Sequence, residues 1–210
     1  MKKALMNLTA AAVMCFALSG CGGAKVADKY EDSLTKAFLE KTEGEKFSLE
    51  VAIVIDYENE KIDDDSDSQL LEVNGENKHY ILSLESGDIE YYKIDGKTWR
   101  VDAEKKEIHP LDNSDFLNKD NADIILADLP ESDDFVSAEK DADGNIREIF
   151  DVDGVEKVFT YDKSSGMLIE QKYETDKIPG DNKAVITMTV KNFEEDCSEI
   201  KLPDGYTMIE

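Results

Sequence analysis

From Phe47 the chain alternates with a period of two. Phe47, Leu49, Val51, Ile53, Ile55 and Tyr57 fall on one side, and Ser48, Glu50, Ala52, Val54, Asp56 and Glu58 on the other. That pattern predicts a long strand with one apolar face. Before it the period is that of a helix. Val26, Tyr30, Leu34, Ala37 and Phe38 share one stripe, Asp28 and Glu31 have capping-box spacing, and Gly44 is a stop, so a helix is expected over about 28–42. After the first strand comes an acidic loop, Asp63–Asp67, and then a run of short strands and tight turns. Gln69–Val73 leads to Asn74-Gly75, Lys78–Leu84 to Ser86-Gly87, and Ile89–Ile94 to Asp95-Gly96 and Thr98–Asp102. Asn-Gly and Asp-Gly accept the positive φ angles of type I′ hairpins. Turns this close leave no room for crossover helices, so the strands pair antiparallel.

The middle of the chain breaks the alternation. Phe116, Leu117, Ile124, Ile125, Leu126 and Leu129 lie between a capping Asn113 or Ser114 and the closing Pro130, which predicts one or two short helices. The meander then resumes. Phe135–Lys140 turns at Asp143-Gly144 into Ile146–Val152, which turns at Asp153-Gly154 into Val155–Asp162. Met167–Glu174 follows Ser164-Ser165-Gly166 and ends at Pro179-Gly180, and Ala184–Phe193 is the last long strand. The expected class is α+β. About ten antiparallel strands form one large sheet that must curl, with an N-terminal helix and a mid-chain helical insertion segregated to one side.

The first twenty residues follow another logic. Residues 1–20 hold no acid, although Asp and Glu supply 49 of the chain's 210 residues. Lys2 and Lys3 precede an apolar run, Ala4–Leu18, that is shorter than the ~20 residues of a membrane span and has the proportions of a secretory signal. Leu18-Ser19-Gly20-Cys21 closes the run and resembles the lipobox of bacterial lipoproteins. The resemblance implies diacylglyceryl transfer to the Cys21 thiol and cleavage before it. The organisation expected is a lipoprotein signal peptide at 1–20, a lipidated Cys and short tether at 21–27, and one domain at 28–210. Such a protein is held at the extracytoplasmic face of the cell membrane by its acyl chains. Removing residues 1–20 takes away two Lys and no acid, leaving 22 basic against 49 acidic groups and a net charge of −27. Cys15 leaves with the signal and Cys21 is acylated, so Cys197 is the one remaining thiol and no internal disulfide can form. The acidic balance argues against a nucleic-acid partner, which needs clustered Lys and Arg. An apolar content of 40% is enough for a folded core.

The order of elements, the hairpin Tyr91-Tyr92-Lys93-Ile94-Asp95-Gly96-Lys97-Thr98-Trp99 and the tail Ile200-Lys201-Leu202-Pro203-Asp204-Gly205-Tyr206 resemble the LolA/LolB/LppX superfamily of lipoprotein-sorting proteins. The resemblance covers about Tyr30 to Glu210. It implies a large curved antiparallel sheet of ten or eleven strands, a half barrel, with the N-terminal helix and the mid-chain insertion across its mouth over the concave face, enclosing an apolar cavity for acyl chains. A tethered lipid-binding relative is the closer analogue than a soluble shuttle, because this chain carries its own anchor. The first and last long strands supply the candidate cavity wall: Ile53, Ile55, Ile186 and Met188. Alternation fixes which side chains share a face, but not which face is concave.

Little in the sequence points to catalysis. His79 and His109 are the two imidazoles, and no Cys, Ser or metal-ligand spacing accompanies either. His-x-x-x-His, Cys-x-x-Cys and Gly-rich phosphate loops are absent. Glu139, Asp141, Asp143 and Gly144 match positions 1, 3, 5 and 6 of a Ca²⁺ loop, but Phe150 stands where the bidentate Glu belongs. Asp143-Gly144 therefore reads as a hairpin turn. No metal, cofactor or enzymatic activity is expected. The expected function is binding of a lipid, lipoprotein or other apolar ligand inside the curved sheet. The alternative is a non-catalytic envelope scaffold with a filled core.

Overall fold

The computed structural model describes residues 25–209 except 60, 61, 63, 112–114, 127–128 and 179–181. The signal segment, the lipobox Cys21, the caps Asn113 and Ser114 and the Pro179-Gly180 turn lie outside the described residues. Twelve strands form one open, curved sheet: β1 Lys46–Tyr57, β2 Asp65–Asn74, β3 Asn77–Leu84, β4 Gly87–Ile94, β5 Lys97–Asp102, β6 Glu107–Leu111, β7 Phe135–Lys140, β8 Ile146–Val152, β9 Val155–Tyr161, β10 Leu168–Ile178, β11 Asn182–Glu194 and β12 Thr207–Met208. Their order across the sheet is β12-β6-β5-β4-β3-β2-β1-β11-β10-β9-β8-β7. Two meanders thus meet where the first long strand pairs with the last.

The structure corrects the sequence reading at several points. The acidic stretch is partly strand, because Asp65, Ser66 and Asp67 pair with Ile55, Val54 and Ile53. β6 has no counterpart in the alternation pattern, and it carries Pro110 near the end of the sheet. The sheet is not wholly antiparallel, since β12 runs parallel to β6. The first hairpin is not type I′. Asn74 pairs with Asn77, which places Gly75 at the first loop position with φ 64 while Glu76 stays negative, the type II′ arrangement. Asp95-Gly96 and Asp153-Gly154 do have both φ values positive, as type I′ requires.

The N-terminal helix is also shorter than its apolar stripe. Tyr30–Asp32 is a 3-10 turn, and α1 runs Leu34–Thr42. Ser33, not Asp28, is the cap, with its Oγ accepting from the Lys36 N–H at 3.0 Å. What seats α1 on the sheet is Glu148 of β8. One carboxylate oxygen accepts from the Leu34 N–H at 2.7 Å. The other accepts from the Thr35 N–H at 2.8 Å and the Thr35 hydroxyl at 2.7 Å. Tyr161 of β9 donates to the same Thr35 oxygen at 2.7 Å. Glu148 is fully buried, and its charge meets the positive end of the helix dipole and unpaired first-turn donors. Gly44 allows the chain to turn off α1, since a Cβ there would lie 2.9 Å from the Lys41 carbonyl oxygen.

The helices lie on what is here termed the inner face. Phe38 of α1 packs on Phe193, which stacks on Phe47. The mid-chain insertion is a 3-10 turn, Asp115–Asn118, followed by α2 Asn121–Ile125. It buries Leu117, Ile125 and Leu126 against the same core as Leu49, Val51, Leu71, Phe150, Phe159 and Tyr161. The outer face has a second, smaller core. Tyr92, Val101 and Ile108 are covered there by Ile200, Leu202 and Tyr206 of the C-terminal tail.

Replacing Glu148 by Ala should leave three donors unpaired, two of them buried, and cost about 2–4 kcal/mol in urea unfolding. Glu148→Gln, which keeps an acceptor, should cost less. An unchanged unfolding midpoint for Glu148→Ala would show that α1 is not held by this carboxylate.

Candidate functional site

Register brings the four candidate wall residues together. Ile53 pairs with Met188, and Ile55 with Ile186, on the face that also carries Leu49 and Val51. The same inner-face rows continue into the neighbouring strands. One reads Phe159, Gln171, Met188, Ile53, Asp67, and the next Lys157, Tyr173, Ile186, Ile55, Asp65. Met188 is buried, whereas Ile53, Ile55 and Ile186 are half-buried. Ile53 packs against the main core, and so do Leu82 and Tyr91 further along the sheet.

The geometry explains the incomplete cover. Twelve strands at ~4.8 Å spacing make a sheet ~50 Å wide. The nine residues of α1 and the five of α2 amount to ~14 and ~8 Å of helix. The helices cover the Phe47, Leu71, Phe150 and Tyr161 part of the inner face and leave Ile55 and Ile186 at its margin. Burial is not uniformly apolar there. Lys157 is buried with its ammonium 4.9 Å from the Tyr173 ring centroid. Tyr80, beside Tyr91 and Phe116 in an aromatic cluster, has its phenol pushed up to about 12, first by burial and then by the nearby Asp67.

A groove of about 450 Å³ opens elsewhere, lined mainly by Val158, Lys172, Glu174, Lys183 and Val185. Val158 pairs with Lys172 and Glu174 with Val185, and these side chains belong to the outer face. None of the four candidate wall residues lines this groove.

The two imidazoles are placed apart. His79 lies on the outer face with Nδ1 2.7 Å from Glu72 and Nε2 2.9 Å from Glu90. Its ring stacks on Tyr92 at 4.3 Å, and the Tyr92 hydroxyl donates to Glu90 at 2.6 Å. Burial alone would lower the His79 pKa, but the hydrogen bonds to Glu90 and Glu72 outweigh it and hold the value above the ordinary one. The Glu90 carboxyl is held below its usual range, first by His79 and also by Tyr92, against the opposing pull of burial. The Cys197 thiol sits 4.0 Å from Glu72 and is pushed up by burial, Glu72 and Asp196, the reverse of what a nucleophilic thiolate needs. His79 therefore works as a clamp. Glu72 touches Cys197 of the tail, and Asn74 of the same strand donates to the Ser198 carbonyl at 3.1 Å.

His109 forms a group the sequence reading missed. The β5–β6 hairpin brings ligand atoms of Asp102, Glu107 and His109 within 4.8 Å of one another, a proximity that depends on the unexpected β6. Asp102 is already engaged, accepting from the Lys105 N–H at 3.0 Å and ammonium at 2.8 Å, and His109 lies 3.1 Å from Glu107. The loop with Ca²⁺-like spacing is used as a turn. Asp141 accepts from the N–H groups of Asp143 and Asn145, both at 2.9 Å, and the Lys163 ammonium donates to the Asp143 carbonyl at 2.6 Å.

No family model matches the chain, and no curated protein matches it. Among solved structures it is similar to LprF from Mycobacterium bovis, with TM-score 0.49, 9% identity and coverage of 82% of this chain and 95% of that one. It is also similar to an uncharacterized conserved protein from Thermus thermophilus, with TM-score 0.43, 8% identity and coverage of 84% and 96%. A LolA superfamily protein from Nitrosomonas europaea matches with TM-score 0.36, 15% identity and coverage of 81% and 95%. Among the described residues, no helix is long and apolar enough to cross a membrane.

The raised His79 pKa fixes the sign of a pH effect. Its contribution to stability is fully present below the unfolded value near 6.5 and fades as pH rises through the folded value. The lowered Glu90 value adds stability above the unfolded carboxylate range, lost as pH falls through its folded value. Urea midpoints of wild type should therefore fall more steeply than those of His79→Gln on the alkaline side, and parallel curves would contradict the clamp. Millimolar Ca²⁺ should raise the melting temperature no more than Mg²⁺ does, both ions acting by screening the acidic surface. A Ca²⁺-selective rise would contradict the reading of Asp141–Gly144 as a turn.

Proposed function

We propose that this chain is an extracytoplasmic lipoprotein, anchored through acylated Cys21, whose sheet binds a lipid or other apolar ligand on its inner face without catalysing a reaction. The observation that carries the reading is the half-buried strip formed by Ile53, Ile55 and Ile186 around Met188. Exposed apolar side chains standing singly are ordinary, but a contiguous row inside a curved sheet is the kind of surface that ligands cover. The position also fits a carrier, because Ile55 and Ile186 lie outside the core that the helices shield, at the edge of Met188 and Ile53, which belong to it. The sorting-protein likeness of the sequence motifs and the order of elements point the same way. The envelope partner would be the membrane itself, reached through the N-terminal acyl chains, with no nucleic acid involved.

The test is organic extraction of protein purified from membranes. Stoichiometric lipid is expected in the extract. Its absence, together with a core that rejects added bulk, would favour a scaffold with a filled interior. Ile55→Trp separates the two. At a ligand-lined position the indole should displace lipid with little loss of stability, whereas overpacking of a filled core costs about 1–3 kcal/mol. Cys21→Ala should abolish acylation and release the protein from membranes, and retention with unchanged gel mobility would refute the anchor.

A further inference from the structure

Buried polar atoms without a partner are rare in folded proteins, and each one asks for an explanation. Among the described residues the buried side-chain atoms of this kind are Gln171 Nε2, Gln171 Oε1 and Asp67 Oδ1. All three belong to one inner-face row. Gln171 pairs with Met188, Met188 with Ile53, and Ile53 with Asp67. The unpartnered groups thus bracket the apolar strip, three strand spacings or ~14 Å apart. Gln171 is only 1% exposed, and its amide lacks both an acceptor for its N–H donors and a donor for its oxygen. Leaving both ends of an amide unmade inside a core is costly, and an apolar side chain of similar volume would remove that cost.

We propose that this row reads the linkage of a neutral amphiphile: an acyl chain lies over Met188, Ile53, Ile55 and Ile186, and an ester- or amide-linked, hydroxyl-bearing group fills the hydrogen bonds of Gln171. This rests on the inner-face binding proposed above and names the class of ligand. A carbonyl of such a group accepts from Gln171 Nε2, and a hydroxyl or amide N–H donates to Oε1. The far end of the row sets the sign of charge. Asp67 faces inward there, with Asp65 one row further on, and these carboxylates disfavour an anionic headgroup while accepting from a hydroxyl. Burial, and then Asp65, hold the Asp67 carboxyl above its usual value, as a crowded acidic end requires.

The experiment is native mass spectrometry of the full chain released from non-ionic detergent, with 1-monopalmitoylglycerol and hexadecyl phosphate as probes of equal chain length. Wild type should prefer the glycerol ester by about tenfold or more, the scale of one buried hydrogen-bonded group. Gln171→Leu should lose most of that preference, and its unfolding midpoint should stay level or rise because the orphaned amide is gone. Asp67→Asn should bind hexadecyl phosphate more tightly than wild type does. Equal binding of the two probes by wild type, or a large drop in midpoint for Gln171→Leu, would overturn the ligand class and leave inner-face binding standing. Failure of wild type to bind either probe would overturn both.

Discussion

Glu148 decides what the rest of the inner face can do. Its buried carboxylate takes the first-turn donors of α1 and the Thr35 hydroxyl, so the start of the helix is fixed over β8 and β9, from where Phe38 reaches Phe193 of β11. A carboxylate in that position is tolerable because donors and the helix dipole surround it. Once α1 is placed, the short α2 extends the cover toward β2, and Asn121 donates to the Thr42 carbonyl at 3.0 Å to join the two helices. Nothing among the described elements extends the cover over Ile55 and Ile186. The half-burial of Ile55 and Ile186 is thus a consequence of helix length and of one buried hydrogen-bond network.

The outer face solves the same problem differently. There the sheet is shielded near β3 to β6 by the C-terminal tail, through Ile200, Leu202 and Tyr206. The row Glu72, His79, Tyr92, Trp99, Pro110 supplies both the apolar bed and the charged clamp beside it. A sheet with two meanders has four regions of face to cover. The helices shield parts of both inner regions, the tail shields one outer region, and β9 to β11 on the outer side carry an open groove lined largely by charged and small apolar residues. The inner strip differs from that groove in chemistry, since isoleucine and methionine dominate it and the Gln171 amide and one Asp67 oxygen beside it have no hydrogen-bond partner among the described residues.

Much of the fold is legible in the sequence because alternation is strong. β1, β8, β9 and β11 match their sequence patterns closely, and Asp95-Gly96 and Asp153-Gly154 turn as their residues require, whereas Asp143-Gly144 sits in a longer loop between Lys140 and Ile146. The pairing of Ile53 with Met188 and Ile55 with Ile186 joins residues over a hundred positions apart, and alternation places them on equivalent faces without revealing that the strands are neighbours. β6 is hidden because Glu107-Ile108-His109-Pro110-Leu111 contains a proline and too short an apolar signal. The cap is misleading because Asp28 and Glu31 have the right spacing but Ser33 stands directly before the residues that Glu148 can reach. Gln171 and Asp67 are illegible in principle. A Gln or Asp in a strand has no local mark that says its partners are missing, and only the assembled row shows it.

The central claim is that an apolar ligand lies on the inner-face strip and nowhere else. Methyl NMR of isoleucine-labelled protein, titrated with a monoacylglycerol, tests it most directly. Shifts concentrated on Ile53, Ile55 and Ile186, with Ile108 and Ile200 of the outer core and Ile146 of the helix-covered core unmoved, are the result this account requires. Shifts centred on the outer-face isoleucines, or none at saturating ligand, would contradict it.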